Sequence, residues 1–166
     1  MGSALDISKL SSEMWRMNNL YHIQDKAGVK LPFSMWPEQR ELYENMWYLN
    51  IILKARQRGL TTFTQLFMLD RCLFHANTSA GVIAHTTQDA STFFNTKIKF
   101  AYDNLPGELK EAVPAERSNY RELTFRNGSR ISVGTSLRST TLQYLHISVY
   151  GKLLSLIHIS EPTRPY

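Results

Sequence analysis

Apolar residues fall at near-helical spacing over residues 5–24 (LDISKLSSEMWRMNNLYHIQ), which predicts a first helix. The stretch DKAGVKLPF that follows reads as a loop or a short hairpin. WPEQRELYENMWYLN predicts a helix with Pro37 in its first turn, where a missing N–H costs nothing, and with Leu42 and Met46 on one face. Its end merges into YLNIILKA, a run of strand length that is apolar on both faces and suits a central parallel strand. RQRGLTTFTQLFMLDRCLFHAN predicts a short loop and then a helix, to which Phe63, Leu66, Phe67, Leu73 and Phe74 give apolar bulk. SAGVIAHT is a second buried strand. TTQDASTFFNTKIKFAYDNLP is a further helix, opened by an approximate capping pair, Thr86 and Asp89, and striped by Phe94, Ile98, Ala101 and Leu105. The period then changes to two in YRELTFRNGSRISVGTS, where Asn127-Gly128 between the arms predicts a tight hairpin with two positive φ angles. LQYLHISVY is a third buried strand. Strand, helix, strand, helix, hairpin, strand is the pattern of an α/β fold.

Composition narrows the class without naming a function. A chain of 166 residues is the size of one domain, with 43% hydrophobic and 20% charged residues. The apolar stretches are far too short to span a bilayer, and the N-terminal residues lack the pattern of a cleavable signal. Cys72 is the sole cysteine, which excludes an intrachain disulfide and a multi-cysteine zinc site. A net charge of +5 is compatible with a nucleic-acid partner and equally with an ordinary basic surface.

Specific chemistry begins at LKARQRGLTTF, where a predicted strand passes through a short basic loop into a helix. A helix start presents unpaired N–H groups and the positive end of the helix dipole, which suits a phosphate. Against the P-loop pattern G-x-x-x-x-G-K-[ST], the register Lys54-Ala55-Arg56-Gln57-Arg58-Gly59-Leu60-Thr61 keeps the second glycine as Gly59 and the hydroxyl as Thr61. Lys54 stands at the first glycine, and Leu60 stands at the lysine. The missing charge has three local substitutes, Lys54, Arg56 and Arg58. On the local pattern alone, a solvated basic turn explains these residues as well as a phosphate loop does.

The stretch LYENMWYLNIILKARQRGLTTF resembles the large terminase subunit of tailed bacteriophages, the ATPase that drives DNA packaging. The likeness lies in a deviant Walker A loop, Arg-Gln-x-Gly-x-[ST]-Thr, and extends over about residues 15–152 through WPEQRELY, GVIAHTTQDASTFF and NGSRISVGTS. It implies an incomplete P-loop NTPase sheet of the ASCE type, flanked by helices, with the Asn-Gly hairpin before the Walker B strand. It implies ATP and Mg2+ as cofactors, with phosphate contacts from Lys54, Arg56, Gln57, Arg58, Gly59, Thr61 and Thr62. Arg56 is the first choice for the phosphate-facing charge, and Thr61 would hold the magnesium ion. Gln39 is the candidate adenine reader, because a glutamine amide pairs with adenine N6 and N7; an ordinary helix-surface glutamine is the plain alternative. The implied partners are duplex DNA and, for the whole motor, the capsid portal, the small terminase subunit and further copies in a ring. The implied location is the host bacterial cytoplasm.

The third strand departs from the family pattern. An expected LHISEYGK reads LHISVYGK here, so Ser148 stands at the Walker B acid and Val149 at the glutamate that activates water. No catalytic group is intact, and hydrolysis is expected to be very poor even where ATP binds. His146 and His158, twelve positions apart and without partnered cysteine or carboxylate at ligand spacing, are weak metal candidates. The segment LSLIHISEPTR resembles a translated sequencing adapter, so Glu161 within it is no substitute acid. The expected organisation is a partial terminase ATPase domain over residues 1–153, cut after Walker B and lacking the nuclease domain, followed by an adapter-derived tail over 154–166. Two alternatives to a packaging-motor fragment stay open: a helicase-like translocase fragment, and a nucleotide-free basic DNA-binding or assembly module.

Overall fold

A computed structural model describes residues 7–52, 58–137 and 141–148 of the chain. The first predicted helix is two helices, α1 (Ile7–Leu10) and α2 (Glu13–Asn19), followed by a strand. Ser12 causes the break: its hydroxyl accepts the Trp15 N–H at 3.3 Å as the N-cap of α2, so the chain restarts where the apolar spacing alone looked continuous. Strands β1 (His22–Gln24) and β2 (Lys30–Pro32) then form an antiparallel hairpin. Asp25 fixes its loop, accepting the N–H groups of Ala27 and Val29 at 2.8 Å each.

Helix α3 (Pro37–Asn45) starts at Pro37 as predicted but stops at Asn45, short of the expected end. Residues 48–52, the described part of the predicted first strand, are not in a strand. Asn50 closes a local turn instead, accepting the Trp47 N–H at 3.0 Å and donating to its carbonyl at 2.6 Å. Such side-chain bonds compete directly with a strand ladder. Tyr48 and Ile51 are each 88% exposed, the opposite of the burial expected.

The main sheet has five strands in the order β4-β5-β6-β3-β7. These are β3 (Ser79–Ile83), β4 (Ala115–Ser118), β5 (Glu122–Phe125), β6 (Arg130–Gly134) and β7 (Tyr144–Ile147). β3 pairs in parallel with β6 on one side and β7 on the other, while β5 is antiparallel to both β4 and β6. The architecture is therefore mixed α/β, a five-stranded mixed sheet flanked by helices. The hairpin falls where expected, with one difference. Gly128 alone takes a positive φ, of 81°, and its N–H donates to the Phe125 carbonyl. Asn127 keeps a negative φ, and the connection is a three-residue turn with glycine in the left-handed position.

Helix α4 (Leu60–Phe74) is the central helix. Its mostly buried faces place Phe63, Leu66, Phe67, Met68, Leu69 and Leu73 in the core with Val82, Ile131 and Val133 of the sheet. Two polar devices fix it. At mid-helix, fully buried Asp70 accepts Arg16 Nε at 2.9 Å, Arg16 Nη2 at 2.7 Å and the Tyr21 hydroxyl at 2.6 Å. Burial first, and the Asp70 charge second, hold the Tyr21 hydroxyl well above its ordinary pKa, so it stays a neutral donor. At the C-terminal end, Asn127 Nδ2 donates to the Cys72 carbonyl at 2.9 Å and Ser129 Oγ to the His75 carbonyl at 2.7 Å. The hairpin turn thus caps the last carbonyls of α4.

The helix after β3 comprises α5 (Thr87–Phe93), a π-helical segment (Phe94–Lys99) and α6 (Phe100–Asp103). The capping pair is as predicted: Thr86 Oγ1 accepts the Asp89 N–H at 3.0 Å. So is the stripe, since Phe94, Ile98, Ala101 and Leu105 are all buried. A short helix α7 (Gly107–Ala112) completes the set of described helices.

Candidate functional site

Parallel pairing puts the carboxyl ends of β6, β3 and β7 on one edge. The ladder runs one step past the strands, with Ala84 N donating to Gly134 O at 2.8 Å and Ser148 N to Ile83 O at 2.9 Å. Helix α4 packs on β3 and leads into it through a short connection after Phe74. It therefore runs back against the strand and begins at that carboxyl edge. Open sheets with parallel strands bind ligands at this edge.

The start of α4 is built without a capping side chain. Gly59 is the N-cap at φ 65° and ψ 5°, and no side chain bonds to the first turn as a cap. The left-handed backbone favours glycine there, and the absence of a Cβ leaves the first-turn N–H groups approachable. The packing is equally demanding, because a Cβ on Gly59 would lie 2.6 Å from Gln39 Nε2.

Gln39 is therefore next to Gly59, and its amide faces the chain. It is 2% exposed; Oε1 accepts the Trp36 N–H at 3.1 Å, and Nε2 donates weakly to the Arg58 carbonyl at 3.4 Å. In this conformation Gln39 is a strut between α3 and the loop. Arg58 turns the same way, its Nη1 bonding Glu38 Oε1 at 3.1 Å in a half-exposed pair. Leu60, at the position of the P-loop lysine, is buried in the core. Lys54, Arg56 and Gln57 lie outside the described residues, as do Val149, His158 and Glu161.

Thr61 and Thr62 occupy the first turn of α4, both half-buried. Lys97, from the π-helical segment, reaches across and donates from Nζ to Thr62 Oγ1 at 2.8 Å. Deeper in α4, Gln65 is fully buried and neither amide atom has a hydrogen-bond partner. Ser148 is buried at the end of β7. The structure thus brings Gln39, Arg58, Gly59, Thr61 and Thr62 together around one helix start. Two further residues went unnoticed in the sequence. Lys97 is 35 positions from Thr62, and Gln65 looks like one more polar residue in a helix.

These groups suit a magnesium-bound polyphosphate chemically. Backbone N–H groups and an amine serve phosphate oxygens, and a threonine hydroxyl is a hard oxygen donor of the kind Mg2+ accepts alongside phosphate. Among the described residues, no three histidine, cysteine or acidic side chains gather as a metal site, and no helix is long and apolar enough to cross a membrane. Compared with protein-family models and with curated proteins, the chain matches none.

Proposed function

We propose that the chain is part of a DNA-packaging ATPase of the large-terminase kind, binding ATP with Mg2+ at the start of α4. One observation carries the reading: a basic loop enters a glycine-capped helix at the carboxyl edge of a sheet whose strands there are parallel. On this reading Thr61 holds magnesium through the nucleotide, and the charge lost at Leu60 returns from Arg56 or Lys54. Arg58 is already partnered by Glu38.

The reading also accounts for the exposed segment after α3. In the family that the sequence resembles, a later strand lies between the loop strand and the Walker B strand. Among the described residues, 48–52 pair with no strand, although β7 ends the sheet. Val149 stands where the reading expects the glutamate that activates water, so ATP is bound and scarcely hydrolysed. In the working motor the partners are duplex DNA, the capsid portal, the small terminase subunit and further copies in a ring, in the host bacterial cytoplasm. DNA contact would be chiefly to phosphates and would weaken as salt rises.

A nucleotide-free basic module is the second reading, favoured by buried Leu60 and by Arg58 facing Glu38. Titrating a fluorescent ATP analogue into the full chain, with and without Mg2+, separates the two. Saturable, magnesium-dependent binding that weakens in Arg56→Ala is expected. No magnesium-dependent binding at millimolar nucleotide leaves the nucleotide-free module.

A further inference from the structure

We infer that the cleft where β5 begins and β6 ends binds a sugar phosphate, on the face of the sheet opposite α4. The inference does not depend on the ATP-binding reading. Along β6, Ile131 and Val133 turn into the core, so Arg130 and Ser132 turn to the other face. There a cleft of about 420 Å3 opens, lined by Arg121, Glu122, Arg130 and Ser132. Leu137 also lines it and stands over Gly81, where an added Cβ would lie 2.5 Å from Leu137 Cδ1, so it walls the cleft toward β3.

The first support is the state of the two arginines. Asn119 Oδ1 accepts the N–H groups of Arg121 and Glu122 at 2.8 Å each, and the Arg121 carbonyl accepts the Val133 N–H at 2.7 Å. The backbone at Arg121 is thus tied to the turn before β5 and to β6. Its guanidinium lies over the Tyr120 ring, with Cζ 5.0 Å from the centroid. A cation–π contact holds the group by its plane and consumes none of its N–H donors. Arg121 Nε is buried without a hydrogen-bond partner. Arg130 spends Nε on Ser79 Oγ at 3.2 Å. Among the described residues, no carboxylate pairs with either guanidinium. A buried charged donor left unpaired costs free energy, and a ligand oxygen removes that cost.

The second support is the chemistry gathered with them. Two guanidiniums suit an oxyanion with several oxygens, and a phosphate serves both. Glu122 brings the opposite demand to the same cleft. Its carboxylate receives only a long bond from the Thr124 hydroxyl, at 3.4 Å, and keeps acceptor capacity for another hydroxyl. A bare anion would be repelled there. A molecule with phosphate at one end and hydroxyls at the other satisfies both groups, and the cleft has the volume of a small-molecule site. A free sugar phosphate and a nucleotide share this chemistry.

The test titrates the full chain by calorimetry in EDTA, where the magnesium-dependent site at α4 is silent. The probes are inorganic phosphate, ribose 5-phosphate and AMP. Ribose 5-phosphate is expected to bind more tightly than inorganic phosphate. Loss of one charge-assisted contact predicts that Arg121→Met and Arg130→Met each weaken ribose 5-phosphate by about 10- to 100-fold. Arg126→Met, a net-charge control at an exposed position, should leave it unchanged. Glu122→Gln should weaken ribose 5-phosphate relative to inorganic phosphate, a split that a merely structural carboxylate would not produce. AMP binding tighter than ribose 5-phosphate assigns the ligand to a nucleotide, and weaker binding assigns it to a free sugar phosphate; both support the site. Thermal melts accompany the titrations; should Arg121→Met not fold, Arg121→Gln and Arg130→Met carry the same decision. Binding of neither sugar phosphate at millimolar concentration, or parent-like affinity in the Arg121 and Arg130 variants, overturns the inference and leaves the ATP reading untouched.

Discussion

Gly59→Ala tests whether the start of α4 is built as described, because one added carbon meets two separate obstacles. The first is the backbone: at φ 65° an alanine costs about 1–2 kcal/mol relative to glycine. The second is Gln39, whose Nε2 would lie 2.6 Å from the new Cβ, about an ångström inside ordinary contact. Gln39 is 2% exposed and is held by two hydrogen bonds. Displacing it breaks the bond from Trp36 N and the weak bond to Arg58 O, leaving buried polar atoms unpaired at roughly 1–3 kcal/mol. Together the two obstacles predict a loss of about 2–5 kcal/mol in urea unfolding followed by tryptophan fluorescence. A double-mutant cycle with Gln39→Ala isolates the second part. Removing the glutamine should relieve the clash, so the double variant should be more stable than the sum of the single losses by at least about 1 kcal/mol. Strict additivity, or a Gly59→Ala loss below about 0.5 kcal/mol, would refute the contact and with it the strut role of Gln39.

Three further outcomes follow from the same structure. Asp70→Asn should cost about 3–5 kcal/mol, because it strands the buried Arg16 charge, and Arg16→Met in the same chain should recover part of that loss; a cost under about 1 kcal/mol in urea melts would show the clamp to be idle. Cys72 is raised by burial from 9.0 to about 12, so the folded chain keeps the proton that the unfolded chain releases, and stability falls as pH rises from about 9 toward about 12. Between about pH 8 and about pH 10 this amounts to roughly 1.4 kcal/mol, and Cys72→Ala should flatten that slope in paired urea melts. Trp47, Tyr48, Leu49 and Ile51 are all strongly exposed, so the chain should self-associate by light scattering; Leu49→Lys with Ile51→Lys should reduce this without moving the melting temperature, and a monodisperse parent would contradict the expectation.

What was legible in the sequence is what local patterning controls. The stripe Phe94–Ile98–Ala101–Leu105, the Thr86 cap, the Pro37 helix start and the Asn-Gly hairpin each depend on residues close in sequence, and each is in the structure. The strands SAGVI and YLHI were legible for the same reason, but β7 is a partly exposed edge strand rather than the buried strand its sequence predicts. β4 was missed because AERS is a mostly exposed edge strand with no apolar alternation to see. The break between α1 and α2 was missed because near-helical apolar spacing continues across Ser12, although a serine beside an acidic residue is a capping signal. Within the site, the loop residues announced themselves, while Lys97 did not. Its relation to Thr62 is created by the packing of two helices, and the π-helical phase shift that aims it leaves no mark on apolar spacing.

The failed strand shows why an apolar run is not by itself a strand. Among the described strands β3 uses both its edges, on β6 and β7, which leaves the outer edges of β4 and β7 to receive another strand. Neither can bury YLNIILKA on both faces. β4 is polar and mostly exposed, and β7 itself leaves Leu145 half exposed. Strand propensity measures fit to a neighbouring pleated surface, so without that surface the preference has no outlet. Asn50 then decides locally, because its two bonds to Trp47 satisfy backbone groups that a ladder would have claimed. Gly59 and α4 need no such neighbour. Their geometry is held by Gln39 on one side, by the Asp70 clamp at mid-helix, and by Asn127 and Ser129 at the far end. The helix start can therefore keep its shape while residues 48–52 have no place in the sheet. Nucleotide binding and completion of the sheet are on this account separable, and a triphosphate should bind the parent chain even where Leu49→Lys and Ile51→Lys remove the apolar character of the segment.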